Sequence, residues 1–161
     1  MRMIKINVRK EVVRCDKCKR VKDFIYLSDF AYGQRLVFFN EAKECAFENL
    51  IEDVTFEEYK KIVKGVLKEN KIEFTENCLN GFVNSTFGIT CDKINGYDID
   101  FSKDQKVCAF CGSVRFERNM IEPESIIEIN VPVISHIGWE KLLENEKQKM
   151  IKEELKKKGL I

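Results

Sequence analysis

Apolar and polar residues alternate at the start of the chain. Ile4, Ile6 and Val8 are interleaved with Lys5, Asn7 and Arg9, the two-residue period of a strand with one buried face. A second apolar run, Phe24 to Leu27, follows after Cys15 and Cys18, so residues 3 to 28 read as strand, Cys-x-x-Cys turn, strand. Another strand is predicted near Leu36 to Phe39, after the turn-like Tyr32-Gly33. Asn40 is then placed to cap a short helix carrying Ala42, Cys45, Ala46 and Leu50 on one face.

The period changes to 3.6 over residues 55–69, where Phe56, Tyr59, Ile62, Val63, Val66 and Leu67 form one apolar stripe. Thr55 and Glu58 have the spacing of a capping box, and Val54 and Tyr59 that of a hydrophobic staple. Thr75 is predicted to cap a second helix bearing Cys78, Leu79, Phe82 and Val83, which ends near Gly88. Asn95-Gly96 supplies a two-residue hairpin turn, with Tyr97, Ile99 and Phe101 alternating after it. Val107 to Phe116 repeats the strand, Cys-x-x-Cys, strand arrangement around Cys108 and Cys111. Ile127, Ile129, Val131 and Val133 predict a further strand, which Pro132 confines to an edge or to its end. Trp139 to Lys158 reads as one long charged helix with Trp139, Leu142, Leu143 and Met150 inward. Gly159 is its left-handed cap, returning Leu160 to Leu155.

Together these elements predict a single α+β domain over residues 1–161. It has strand-and-turn halves at about 3–28 and 104–118, an insertion at about 30–102 and a C-terminal helix at about 138–158. No stretch approaches the roughly 18 uninterrupted apolar residues of a membrane span, and the amino-terminal residues do not form a signal-peptide core, so a cytoplasmic location is expected. The 7 cysteines are an odd number, against a secreted disulfide scaffold, and in a reducing compartment they read as metal ligands, buried apolar residues or redox groups.

Spacing separates these uses. Cys15-Asp16-Lys17-Cys18 and Cys108-Ala109-Phe110-Cys111 each let two thiolates face one ion, and two such turns complete the tetrahedron that zinc takes. Gly112 permits the left-handed backbone that closes such a turn. In these two segments the chain resembles zinc-ribbon proteins, which implies one structural Zn²⁺ on Cys15, Cys18, Cys108 and Cys111. It departs from them in one respect: 89 residues lie between Cys18 and Cys108, against about 15–20 in the common spacing. The ribbon must therefore be split by an insertion, which closure entropy tolerates because it rises only logarithmically with loop length. Cys91-Asp92-Lys93 echoes the first turn but has Ile94 where a second ligand should be, and Cys45, Cys78 and Cys91 are read as buried apolar residues.

Four sulfurs leave no open position for a substrate, so no catalytic metal is expected. A dithiol redox protein is a remote alternative, kept open by Lys17 and Lys19 beside the first pair. It normally needs a thiolate at a helix start, which neither pair offers. The only histidine, His136, has no accompanying ligand pair and reads as a hydrogen-bonded structural residue. No phosphate loop, nucleophile elbow or small-molecule substrate motif is present, and Asp92, Asp98, Asp100 and Asp104 read as solvated loop residues. The overall charge of +1 excludes nothing, but residues 1–22 hold nine Lys or Arg against Glu11 and Asp16. With the ribbon closed, Arg14, Lys17, Lys19, Arg20, Lys22, Lys106 and Arg115 are expected at one basic end around Phe110, a surface for phosphates and a stacked base. Cationic neighbours that compensate a zinc-thiolate cluster would give the same composition without any ligand. The functional expectation is a non-enzymatic, zinc-stabilised binding module that contacts nucleic acid. Its alternative is a protein-binding adaptor or inhibitor, for which the acidic 41–59 segment and the lysine-rich C-terminal stretch offer surfaces.

Overall fold

The computed structural model describes residues 1–29 and 31–161. The chain is α+β: strands β1 (Met3–Arg14), β2 (Val21–Leu27), β3 (Gln34–Phe39) and β4 (Glu44–Asn49), helices α1 (Val54–Glu69) and α2 (Glu76–Thr86), a 3-10 turn (Phe87–Thr90), β5 (Ser125–Pro132), and helices α3 (Ile137–Glu140) and α4 (Glu144–Lys157). Among the described residues no helix is long and apolar enough to cross a membrane. The elements pack as two compact units, each made of two chain segments. Unit 1 comprises residues 1–49 and 103–133, and unit 2 residues 50–102 and 134–161.

Unit 1 is built on an antiparallel sheet in the order β2-β1-β5, with β3 and β4 forming a separate antiparallel hairpin. Val8, Val12, Val13 and Phe24 are buried in its core. Among the described residues no further strand pairs beyond β2, and Gln105 takes its place. Its side-chain oxygen accepts the Ile25 N–H at 2.8 Å, and its amide donates to the Ile25 carbonyl at 2.9 Å, so one amide satisfies both backbone groups of an edge residue. The helix expected after Asn40 is instead β4. Its alternation is obscured because the two buried positions are Ala46 and Glu48, the latter facing Arg35 in the ladder register. Asn40, Glu41 and Ala42 all take left-handed backbone, with φ of 52°, 55° and 62°, and turn the chain between the strands. The strands expected around Cys108 and Cys111 are also absent. This segment is turns, tied to the end of β1 by the Glu117 N–H to Arg14 carbonyl and Ile121 N–H to Val12 carbonyl bonds and, just past it, by a bridge between Cys15 and Phe116.

In unit 2, α1 starts one residue before the expected cap. Asp53 is the N-cap, its carboxylate accepting the N–H groups of Thr55 (2.8 Å) and Phe56 (3.4 Å), and Val54 is 80% exposed, so the expected staple does not form. Tyr59, Val63, Val66 and Leu67 are buried as the stripe requires. Thr75 caps α2, as expected, by accepting the Cys78 N–H at 3.2 Å. Phe87 is the hub of the core, with ring centroids of Phe56, Tyr59 and Phe101 at 5.0, 5.6 and 5.2 Å. Gly88 permits this packing, since a Cβ there would lie 2.1 Å from the Ile99 carbonyl oxygen. The Asn95-Gly96 turn forms, but it joins only a one-residue bridge from Ile94 to Tyr97, and no strand follows. The long C-terminal helix is interrupted. Residues 141–143 separate α3 from α4, Leu143 is 67% exposed, and Lys147, Ile151 and Leu155 form the buried stripe. At its end Gly159 has φ 71°, and the Leu160 N–H returns to the Leu155 carbonyl at 2.9 Å, as expected.

Candidate metal centre

The Cys15–Cys18 turn joins β1 to β2, and the Cys108–Cys111 turn follows the Gln105 edge mimic. The two have the same backbone bonding. In each, the N–H of the residue after the second cysteine returns to the first cysteine's carbonyl (Lys19 to Cys15 at 3.0 Å, Gly112 to Cys108 at 2.8 Å), and the first cysteine's N–H reaches the following carbonyl (Arg20 and Ser113, both 2.8 Å). Lys19 and Gly112 occupy matching left-handed positions, with φ of 63° and 72°. Glycine signals the second turn in the sequence, whereas lysine gives no such signal for the first. The segments are held side by side by Asp16 N–H to Arg115 O (3.0 Å) and Glu117 N–H to Arg14 O (2.9 Å), and by an edge-on contact of Phe24 with Phe116 at 4.8 Å.

This arrangement brings four thiols together across the chain. Cys15 Sγ lies 3.6 Å from Cys111 Sγ and Cys18 Sγ 3.5 Å from Cys108 Sγ, and all four sulfurs lie within 4.8 Å of one another. Tetrahedral zinc with Zn–S bonds of about 2.3 Å sets neighbouring sulfurs about 3.8 Å apart, whereas a disulfide needs about 2.05 Å, so the spacing fits a shared ion rather than a covalent pair. Backbone donors are arranged for anionic sulfur. The Cys18 and Lys17 N–H groups hold the Cys15 thiol below its usual value, and those of Cys111 and Phe110 bring Cys108 down to about 6. Cys111 accepts from the Ser113 N–H, but desolvation and hydrogen bonding with the neighbouring thiols push it up to about 11. These donor sulfurs suit a soft or borderline metal ion.

The other cysteines lie outside this cluster. Cys45 is half-buried in β4, its thiol pushed up to about 11 by burial. Cys91 is half-buried at the end of the 3-10 turn, and Cys78 is exposed on α2 rather than buried as expected. His136 is buried, with Nε2 2.8 Å from the Asp53 carboxylate and Nδ1 2.9 Å from the Thr90 hydroxyl and 3.1 Å from its carbonyl. Asp92 is no solvated loop residue. Its carboxylate accepts from the Ser135 hydroxyl and from the N–H groups of Ile137 and Gly138 at 2.7–2.8 Å, fastening the start of α3.

The expected basic residues divide around the knuckles. The Arg20 guanidinium lies 3.1 Å over the centroid of Phe110, which is 67% exposed at the second knuckle's tip. Lys22 donates to the Val107 carbonyl at 2.7 Å, and burial lowers its pKa against the pull of Cys108 and Asp104. Arg20, Lys22 and Phe110 line one open cleft of about 500 Å³, with Phe38 and Cys45 from the hairpin. The same lining holds the acids Asp23 of β2 and Glu41 and Glu44 of the hairpin, and a sequence that reads as a helix after Asn40 does not bring the last two here. Lys17 and Arg115 line a second depression beside Cys111, and Lys106 a third with Phe24 and Phe116. Arg14 donates to the Lys19 carbonyl (3.0 Å), and both side chains approach Glu117, at 3.8 and 3.2 Å, so their charge is partly answered internally.

No protein-family model matches this chain, and neither do curated proteins or solved structures.

Proposed function

We propose that the chain is a non-enzymatic binding module whose four-cysteine site holds one structural zinc ion, and that it contacts single-stranded nucleic acid beside the second knuckle. The observation that carries this reading is the four-thiol cluster itself, with sulfur separations suited to one tetrahedral ion. Filled by four sulfurs, the ion has no open position, so it ties two distant segments together and does no chemistry on a substrate. Nucleic acid is favoured by the Arg20–Phe110 stack on the cleft. An exposed ring supplies a base platform, and Arg20 and Lys22 beside it supply phosphate charge. A protein-directed adaptor is the second reading, favoured by the acids Asp23, Glu41 and Glu44 in the lining of the same cleft, which repel phosphates.

Elemental analysis of protein purified without chelator is expected to give one zinc per chain, lost in Cys108→Ser. A metal-free protein of unchanged stability would sink the zinc assignment. Fluorescence anisotropy with a labelled single-stranded oligonucleotide separates the two partner classes. Phe110→Ala should weaken binding by roughly 5- to 100-fold, the range of one lost stacked base, and affinity should fall steeply with salt. No oligonucleotide binding at low salt would leave the adaptor as the standing reading.

A further inference from the structure

β5 has one strand neighbour, β1, among the described residues. The β3–β4 hairpin also packs near β5, with a parallel bridge between Phe47 and Val133 just past the strand's end, and Val131 and Pro132 are buried there, whereas residues 125–130 stay clear. In an antiparallel edge strand every second residue turns its N–H and C=O outward. Among the described residues, no hydrogen bond outside the ladder engages the backbone of residues 125–130. Five of these six residues are exposed and the sixth, Ile129, is half-buried. Ile126 is 69% and Ile127 36% exposed, although they point to opposite faces. At the other edge Gln105 covers β2, so this sheet blunts one edge and leaves the other open. A long apolar edge of that kind is a template for another strand.

Charge selects the occupant. Residues 125–132 contain one charged residue, Glu128, answered by Lys5 at 3.9 Å, and the flanking Glu124 is answered by Arg9 at 3.2 Å. The edge thus has no unbalanced charge with which to recruit a basic or acidic segment. It suits an apolar, nearly neutral strand, and Ser125–Pro132 is itself such a strand. We infer that β5 pairs antiparallel with β5 of a second copy of this chain across a two-fold axis, joining two three-stranded sheets into one of six strands. A two-fold makes the same groups complementary to themselves, and the overall charge of +1 opposes the approach only weakly. One strand pair is a small interface, so the dimer is concentration-dependent rather than permanent.

Sedimentation velocity on the full zinc-loaded chain tests this. The average mass should rise from 18.9 kDa toward twice that value between low and high micromolar concentration. Ile126→Lys places a like charge in each strand and should weaken association at least about tenfold, with an unchanged circular dichroism spectrum because the side chain is already exposed. Val54→Lys, at an equally exposed apolar position in unit 2, should leave association unchanged. Amide exchange within residues 125–130 should slow as concentration rises. A chain that stays monomeric, an Ile126→Lys variant that still associates fully, a dimer lost in Val54→Lys, or β5 amides that exchange at one rate throughout would each overturn the inference. An extended peptide from another protein would be the occupant if the β5 amides slowed only when that peptide was added.

Discussion

Unit 1 brings residues 103–124 back against β1 and β2 with almost no regular structure. Four thiols, two matched turns and a few backbone hydrogen bonds hold this return. Unit 2 also closes on a distant segment, residues 134–161, but does so with helices and a ring cluster around Phe87, in which Trp139 lies 5.7 Å from Tyr59. The difference teaches where each unit's stability resides. A segment that buries few large side chains can be fixed by a few strong metal bonds, whereas helices with apolar stripes fix themselves by area removed from water.

Removing the metal should break the contrast most visibly. Zinc contributes on the order of 10 kcal/mol to the folding of small zinc peptides, and less is expected in a chain with its own core. Chelation should release the amides of residues 103–118 to hydrogen exchange while those of α1 stay protected. Simultaneous release of α1 would show that both units depend on the metal. The mirror experiment is Phe87→Ala, which should destabilise unit 2 by about 4 kcal/mol through a cavity at a fully buried ring. Zinc should be retained in folded protein, and its loss would erase the distinction.

A third test concerns the polar fastening of unit 2. Desolvation raises the Asp92 pKa, but the Ser135 hydroxyl and the Gly138 and Ile137 N–H groups, with His136 nearby, outweigh it and hold the carboxyl below its usual value. Its contribution is therefore fully present above the unfolded value of about 3.9 and is lost as pH falls through the lower folded value. Asp92→Asn should cost about 2 kcal/mol at neutral pH in urea unfolding, and the gap to wild type should narrow in acid. A gap of constant size would assign the effect to packing. The smallest effect expected is that of Gly159→Ala. No atom lies within 4 Å of the added Cβ, so the cost is the left-handed backbone alone, about 1 kcal/mol on the melting of α4.

The four-cysteine cluster was legible in the sequence because a Cys-x-x-Cys turn is a local pattern, and β1, β2, α1, α2 and the Gly159 cap likewise declare themselves within a few residues. The failures arose where distant partners decide the structure. Glu48 looks like the polar face of a helix until Arg35 stands opposite it in a hairpin. The run around Cys108 has the composition of a strand, yet its backbone bonds are taken by the knuckle. Neither Gly nor Pro marks the break at residues 141–143. Leu143 simply adopts extended backbone, its N–H bonded to the Glu146 carboxylate at 2.7 Å, and α4 starts afresh. The cleft was invisible because it joins Phe110 to a hairpin whose second strand has the pattern of a helix.

The wide separation of the two cysteine pairs has a consequence for the order of events on the ribosome. At roughly 5–20 residues per second, Cys15 and Cys18 wait about 5–20 s after synthesis before Cys108 and Cys111 exist to complete the site. Throughout that interval the amino-terminal hairpin carries two thiols able to grip a metal ion only by half. Unit 1 can finish once residue 133 has emerged, whereas unit 2 must await the buried Leu155 near the end of α4. A metal ion bound by all four thiols would thereby be captured before the second unit has all of its core.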